Sequence, residues 1–234
     1  MIPTRFLSYL LLLLPVGLLF PQTTIAQANA YRSAKDSDPE ARALVEGLRA
    51  KYDAYNTIMA NFRLDIALPE QPVESQKGTI SREGDFVRFK LGNQEGIVNA
   101  DAAYIILHSN KEVQINDLPE AGEASGVLTP QTLFSFYEGD GYVLSLQGEQ
   151  TVKGRKLKVV ELKPVDRAAS EFTKLRLLVD QPNQQLVSVK AFSSDGSNFT
   201  FHLDEVRGNV KLPVKTFIFD KADFPGYYVE DLRY

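Results

Sequence analysis

The side chains that most often carry covalent chemistry in proteins are scarce in this chain. Its 234 residues include two histidines, His108 and His202, and no cysteine. His108 closes an apolar run beside Ser109, and His202 stands between Phe201 and Leu203. A serine–histidine–carboxylate relay could be drawn from Ser109 or Ser135. No G-x-S-x-G turn, however, presents a serine at a strand-to-helix corner. Neither H-E-x-x-H nor a Cys/His cluster offers the spacing that holds zinc. The carboxylates are scattered over turns, where water is their usual partner. There is no phosphate-cradling glycine loop and no dinucleotide fingerprint. The sequence therefore predicts no catalytic residue, no metal and no cofactor. What remains is non-covalent binding.

Apolar residues show the clearest spacing. From Ile58 to Leu68 every even position is apolar, while odd positions carry Asn61, Arg63 and Asp65. A period of two puts one set of side chains on one face of a strand. Further strands are predicted around 76–82, 85–91, 95–99, 103–108 and 112–116. A second series is predicted around 141–147, 157–163, 171–180, 185–192, 198–206 and 215–219. Turn residues punctuate them, as in Glu83-Gly84-Asp85, Gln181-Pro182-Asn183 and Ser194-Asp195-Gly196. About eleven short strands joined by tight turns predict a meandering antiparallel sheet that must curl or close.

Two helices break this rhythm. Asp38 can cap a helix with Pro39 at its first position, and Leu44, Val45, Leu48, Tyr52 and Tyr55 recur at helical spacing. Thr129-Pro130 opens a shorter helix whose Leu133, Phe134, Phe136 and Tyr137 leave it apolar nearly all round. A curled sheet with two such helices reads either as an ordinary packed core or as a container with a lid.

The first thirty residues have the three parts of a secretory signal peptide. Arg5 precedes an apolar run from Leu7 to Phe20, and two A-x-A sites predict cleavage before Asn29 or Tyr31. The run is short for a membrane span and is interrupted by Pro15 and Gly17. No cysteine stands at the cut for acylation. Residues 31–37 read as a flexible polar leader and 38–234 as a single domain. Loss of Arg5 with the signal takes the formal net charge from −4 to −5. That balance argues against nucleic-acid binding and against steady adsorption to an anionic membrane.

Several ordered blocks resemble one known family. They are Ala50-Lys51-Tyr52 through Tyr55, Asn61-Phe62, Gln76-Lys77-Gly78-Thr79 and Val113-Gln114-Ile115-Asn116-Asp117. They continue with Thr129-Pro130, Leu133-Phe134, Tyr137-Glu138, Phe217-Ile218-Phe219-Asp220 and Phe224-Pro225-Gly226-Tyr227. Their order and spacing are similar to the periplasmic outer-membrane lipoprotein carriers, the LolA family, in its Bacteroidota-type branch. The resemblance implies an α+β fold that is mainly β: an incomplete antiparallel barrel of about eleven strands, closed by a helical lid around an apolar cavity. It implies a monomeric periplasmic carrier, not an enzyme, that takes acylated lipoproteins from an ATP-driven inner-membrane releasing complex. Delivery would be to the outer membrane, through a receptor where one is present, without stable membrane insertion. Phe62, Leu64, Ile66, Val87, Phe89 and Ile106 are the candidate cavity lining, and Leu133, Phe134, Phe136 and Tyr137 the candidate lid. For each, plain core packing is the competing reading. The family's lid-latching arginine is carried onto Arg82, which otherwise reads as an exposed turn residue paired with Glu83. A carrier for another lipid or apolar precursor, and a lipid-sensing regulatory module, are the alternative functions.

Overall fold

A computed structural model of the chain describes residues 33–118, 141–168 and 170–233. Helix α1 (Pro39–Asp53) starts where the sequence predicts. The Asp38 carboxylate accepts from the backbone N–H groups of Glu40 and Ala41 at 2.8 and 3.3 Å. Its buried residues, Ala41, Val45, Leu48 and Tyr52, follow a spacing of four, three and four, which gathers them on one face.

Twelve strands among the described residues form one sheet. They are β1 (Thr57–Ala67), β2 (Glu74–Glu83), β3 (Phe86–Leu91), β4 (Gln94–Val98), β5 (Ala103–Leu107), β6 (Glu112–Asn116), β7 (Tyr142–Val152), β8 (Arg155–Pro164), β9 (Phe172–Asp180), β10 (Gln185–Ser193), β11 (Asn198–Gly208) and β12 (Tyr228–Asp231). The order across the sheet is β12-β6-β5-β4-β3-β2-β1-β11-β10-β9-β8-β7. Two antiparallel meanders, β1–β6 and β7–β11, are therefore joined by the pairing of β11 with β1. The sheet stays open, with β7 and β12 as its edges. The mainly-β, open-barrel class expected from the sequence is the one found.

The inner face carries the core. Ile58, Ala60, Phe62 and Leu64 of β1 and Val87 and Phe89 of β3 share one apolar cluster with α1. So do Leu175, Leu177 and Val179 of β9 and Phe201 and Leu203 of β11. Two glycines let aromatic rings lie flat on the sheet. Gly78 faces Phe62 across β1–β2, and a Cβ there would stand 2.3 Å from that ring. Gly96 faces Phe89 across β3–β4, where a Cβ would meet the ring at 2.1 Å. A glycine in a strand often marks such a close approach.

Three features differ from the sequence expectation. Within the predicted flexible leader, Ser33–Ser37 form a capped 3₁₀ turn at Ala34–Asp36. The Ser37 hydroxyl accepts from Leu144 N–H at 3.0 Å, and Asp38 N–H donates to Leu144 O at 2.8 Å. These bonds satisfy part of the open edge of β7, which would otherwise offer a template for another chain.

Residues 215–219 are not a strand. Val214–Phe217 turn, and the chain then crosses the outer face of β3–β6. The cause is a second apolar surface. Ile97, Ile106 and Val113 face outward, and Tyr104, Phe219, Phe224, Tyr227 and Val229 pack over them. Phe219 stacks on Tyr104 at 4.5 Å and on Phe224 at 5.6 Å. The third difference follows from this path: an additional strand, β12, pairs with β6 in parallel and closes that edge.

Candidate functional site

The inner face opens into a cleft of about 670 Å³ at the barrel end opposite the α1–β1 junction. Its floor is apolar: Leu64 and Ile66 from β1, Leu91 from β3 and Leu107 from β5. Strand register explains why these four meet. Leu64 pairs with Gln76, Ile66 with Glu74, Leu91 with Gly78 and Leu107 with Gln94, and paired residues share a face. The same pairing brings Glu74, Gln76 and Gln94 into the wall, with Asn93, Ser109 and Asn110 from the adjoining turns. Gln76 Nε2 donates to Glu74 Oε1 at 2.7 Å, so that part of the wall is internally bonded.

Beneath the floor the apolar surface continues. Ile66 and Leu91 pack against the cluster containing Phe62, Phe89 and Phe201, and the rings of Phe62 and Phe201 lie 5.5 Å apart. A ligand here would meet aliphatic side chains at its buried end and amides, a hydroxyl and a carboxylate at its mouth. That division suits an amphiphile.

The structure brings five of the six sheet candidates onto one face. Leu64 and Ile66 line the cleft, while Phe62, Val87 and Phe89 lie in the core below it. Ile106 does not join them. It is fully buried on the opposite face, beneath the C-terminal segment. Its neighbour Ile105 takes the inner position, because one residue along a strand reverses the face. Leu91, Leu107 and Gln76 are lining residues that the sequence reading missed. The alternation Val87, Phe89, Leu91 carries the signal for Leu91. For Leu107, the misleading run is Tyr104-Ile105-Ile106-Leu107, in which every residue is apolar and no parity shows. Leu133, Phe134, Phe136 and Tyr137 lie outside the described residues.

Arg82 is half-buried on the inner face, opposite Ile58, and its Nη2 donates to the backbone oxygen of Tyr52 at 3.2 Å. It latches the last turn of α1, where a cation also complements the helix dipole. Tyr52 itself fixes that helix end to the far meander: its hydroxyl accepts from Leu186 N–H at 3.0 Å. Burial pushes the Tyr52 phenol up to about 12, against the lowering effect of that bond.

Among the described residues no group of three or more His, Cys, Asp or Glu side chains could hold a metal ion, and no helix is long and apolar enough to cross a membrane.

No family model and no curated protein sequence matches the chain. Solved structures do. An uncharacterized conserved protein from Thermus thermophilus superposes with a TM-score of 0.52 at 7% identity, over 82% of this chain and 99% of that one. The lipoprotein LppX of Mycobacterium tuberculosis gives 0.47 at 14% identity, over 76% of this chain and 100% of that one. The LolA superfamily protein NE2245 of Nitrosomonas europaea gives 0.42 at 14% identity, over 77% and 98%. At these identities what is shared is the fold, which the score of the Thermus protein supports. The fold itself, an open and mainly antiparallel barrel curled around a helix, is the class expected from the sequence.

Proposed function

We propose that this chain is an exported carrier that shelters the acyl chains of lipoproteins in the inner-face cleft and moves them through the periplasm. The observation that carries this reading is the cleft of about 670 Å³, with an aliphatic floor continuous with the core and a polar mouth. Exposed acyl chains cost about 0.8 kcal/mol per CH₂ in water, so cargo of this kind cannot cross an aqueous space unescorted. The polar half of the lining gives the polypeptide end of such a cargo something to bond. The sequence supports the same reading through its signal peptide, its lack of an acylation cysteine and its resemblance to the carrier family. An inner-membrane ATP-driven releasing complex and an outer-membrane acceptor are the partners this role requires. No residue is assigned to catalysis.

Titration with a fluorescent acyl probe tests the cleft. Ile66→Asp puts a carboxylate on a half-buried floor position and should weaken probe binding by tenfold or more, with the far-UV CD spectrum unchanged. Probe binding that survives this change would show that the chains bind elsewhere. Native mass spectrometry of protein purified from its own compartment then identifies the cargo. Triacylated lipoprotein supports the carrier role, and a free lipid or apolar precursor redirects it to that ligand.

A further inference from the structure

Charged and polar side chains on the outer face are ordered in two rows, the longer of which crosses six strands. Glu161 of β8 pairs with Arg176 of β9, which pairs with Lys190 of β10. Lys190 pairs with Thr200 of β11, Thr200 with Asp65 of β1, and Asp65 with Ser75 of β2. A parallel row runs from Ser188 through His202 and Arg63 to Lys77. Lys174 stands opposite Phe192 on the other side of the first row. These residues share a face because paired strand positions do, and six strands span roughly 24 Å.

The face is basic in a chain whose formal net charge is −4. Lys77, Arg63, Lys190, Arg176, Lys174 and Lys163 stand in or beside the rows, against the carboxylates Glu161 and Asp65, while Arg207 and Glu205 on the same face pair with each other at 3.5 Å. Glu161 is buried among three of the cations, with Lys174 at 2.9 Å, Arg176 at 3.1 Å and Lys163 at 3.7 Å. Asp65 is bonded to Arg63 at 3.0 Å and to His202 at 2.9 Å. Three cations also ring Phe192: Lys174 at 5.0 Å, Arg176 at 5.3 Å and Lys190 at 4.9 Å from its centroid. Packing cations this densely around one carboxylate and one ring holds their stems in place and leaves the excess positive charge at the surface.

We propose that this outer face of β8–β9–β10–β11–β1–β2 is a peripheral docking surface for an anionic phospholipid bilayer. Charge complementarity favours this occupant. The cations are spread over a broad sheet face at strand spacing, and the acyl cleft opens on the other face. The phosphates of a bilayer can meet the crest of such an array without any groove, whereas a bound peptide is ordinarily held by a groove or a strand edge. The face lies on the reverse of the sheet from the acyl cleft, so contact with a bilayer leaves that cleft unblocked. Attraction of this kind is reversible and fades within a Debye length.

Vesicle flotation tests the proposal, comparing phosphatidylcholine alone with equal parts phosphatidylcholine and phosphatidylglycerol. The protein should float with the anionic vesicles in low salt, stay behind with the neutral ones, and be released at about 0.3 M salt. The double variant Lys174→Gln/Lys190→Gln should lower the anionic-vesicle partition by about 30-fold, since each lost cation near the surface removes roughly a factor of five. It should retain acyl-probe binding, which separates this surface from the cleft. Lys77→Gln/Lys190→Gln leaves the Glu161 cluster intact and should give a fall of similar size. Equal partition onto both vesicle types overturns the proposal, as does a partition that neither variant changes. Binding to soluble polyglutamate without binding to anionic vesicles also overturns it, in favour of an acidic protein partner.

Discussion

Glu161 shows how a single residue can be legible in type and illegible in role. In sequence it is one carboxylate of many, in the run Val159-Val160-Glu161-Leu162. In the structure its side chain is 7% exposed and accepts hydrogen bonds from Lys174 and Arg176. Burial alone would raise its pKa, but the bonds from Lys174 and Arg176 and the charges of Lys174 and Lys163 outweigh that and hold the carboxyl below its ordinary 4.5. A folded-state pKa below the unfolded one gives stability that is fully present above about 4.5. That stability is lost as pH falls through the depressed value. Glu161→Gln should therefore cost about 1–3 kcal/mol at pH 7, because the cations lose their charged partner. In urea melts at falling pH below 4.5, the gap between variant and parent should close. A constant gap would mean that packing of the side chain, and not its charge, sets the difference.

At the scale of elements, the strand alternation of β1 predicts its face correctly from Ile58 to Ile66, because the odd positions from Asn61 to Asp65 are polar. The strands β4 and β5 defeat the same logic. Both of their faces are buried, one by the core and one by the C-terminal segment, so apolar residues occupy both parities and Ile106 cannot be told from Ile105. The pairing of β1 with β2 rests on a different device, the seat that Gly78 gives the Phe62 ring. A methyl group there would also lie 2.7 Å from the backbone oxygen of Lys90, which cannot move without breaking the β2–β3 ladder. Gly78→Ala should lower the unfolding free energy by about 1–3 kcal/mol. It should also weaken acyl-probe binding, because the displaced ring forms the base of the cleft. Thermal melts and probe titration on the same sample check both. Unchanged stability would show that the ring has room to shift.

The whole molecule is organised by how it treats its two sheet edges and its two sheet faces. One edge, β7, is bonded by Ser37 and Asp38, and the other, β6, is closed by β12 through register pairs from Tyr228↔Glu112 to Asp231↔Ile115. Removal of residues 228–234 should expose β6 as an unpaired edge and produce dimers or larger species by light scattering, where the full chain should remain a monomer. A truncated chain that stays monomeric would show that the segment from Phe217 to Tyr227 protects the edge unaided. The two faces divide the binding roles. The inner one offers an aliphatic cleft and the outer one a basic array, so overall net charge is a poor guide to what either face can touch.

The sequence by itself determined the strands β1 to β11, the helix start at Asp38, the meandering antiparallel topology and the burial of one face of β1. Each of these follows from local spacing and from turn or cap chemistry, which act within a few residues. Tertiary structure alone decided that residues 215–219 are not a strand, that β12 runs parallel to β6 and that Ile106 faces away from the cleft. It also decided that Arg82 reaches the end of α1 and that lysines far apart in sequence, on β2, β9 and β10, form one basic face. These are matters of which strand lies beside which and of the register between them. Pairings across more than a hundred residues, such as Asp65 with Thr200, leave no periodic trace in the chain that makes them.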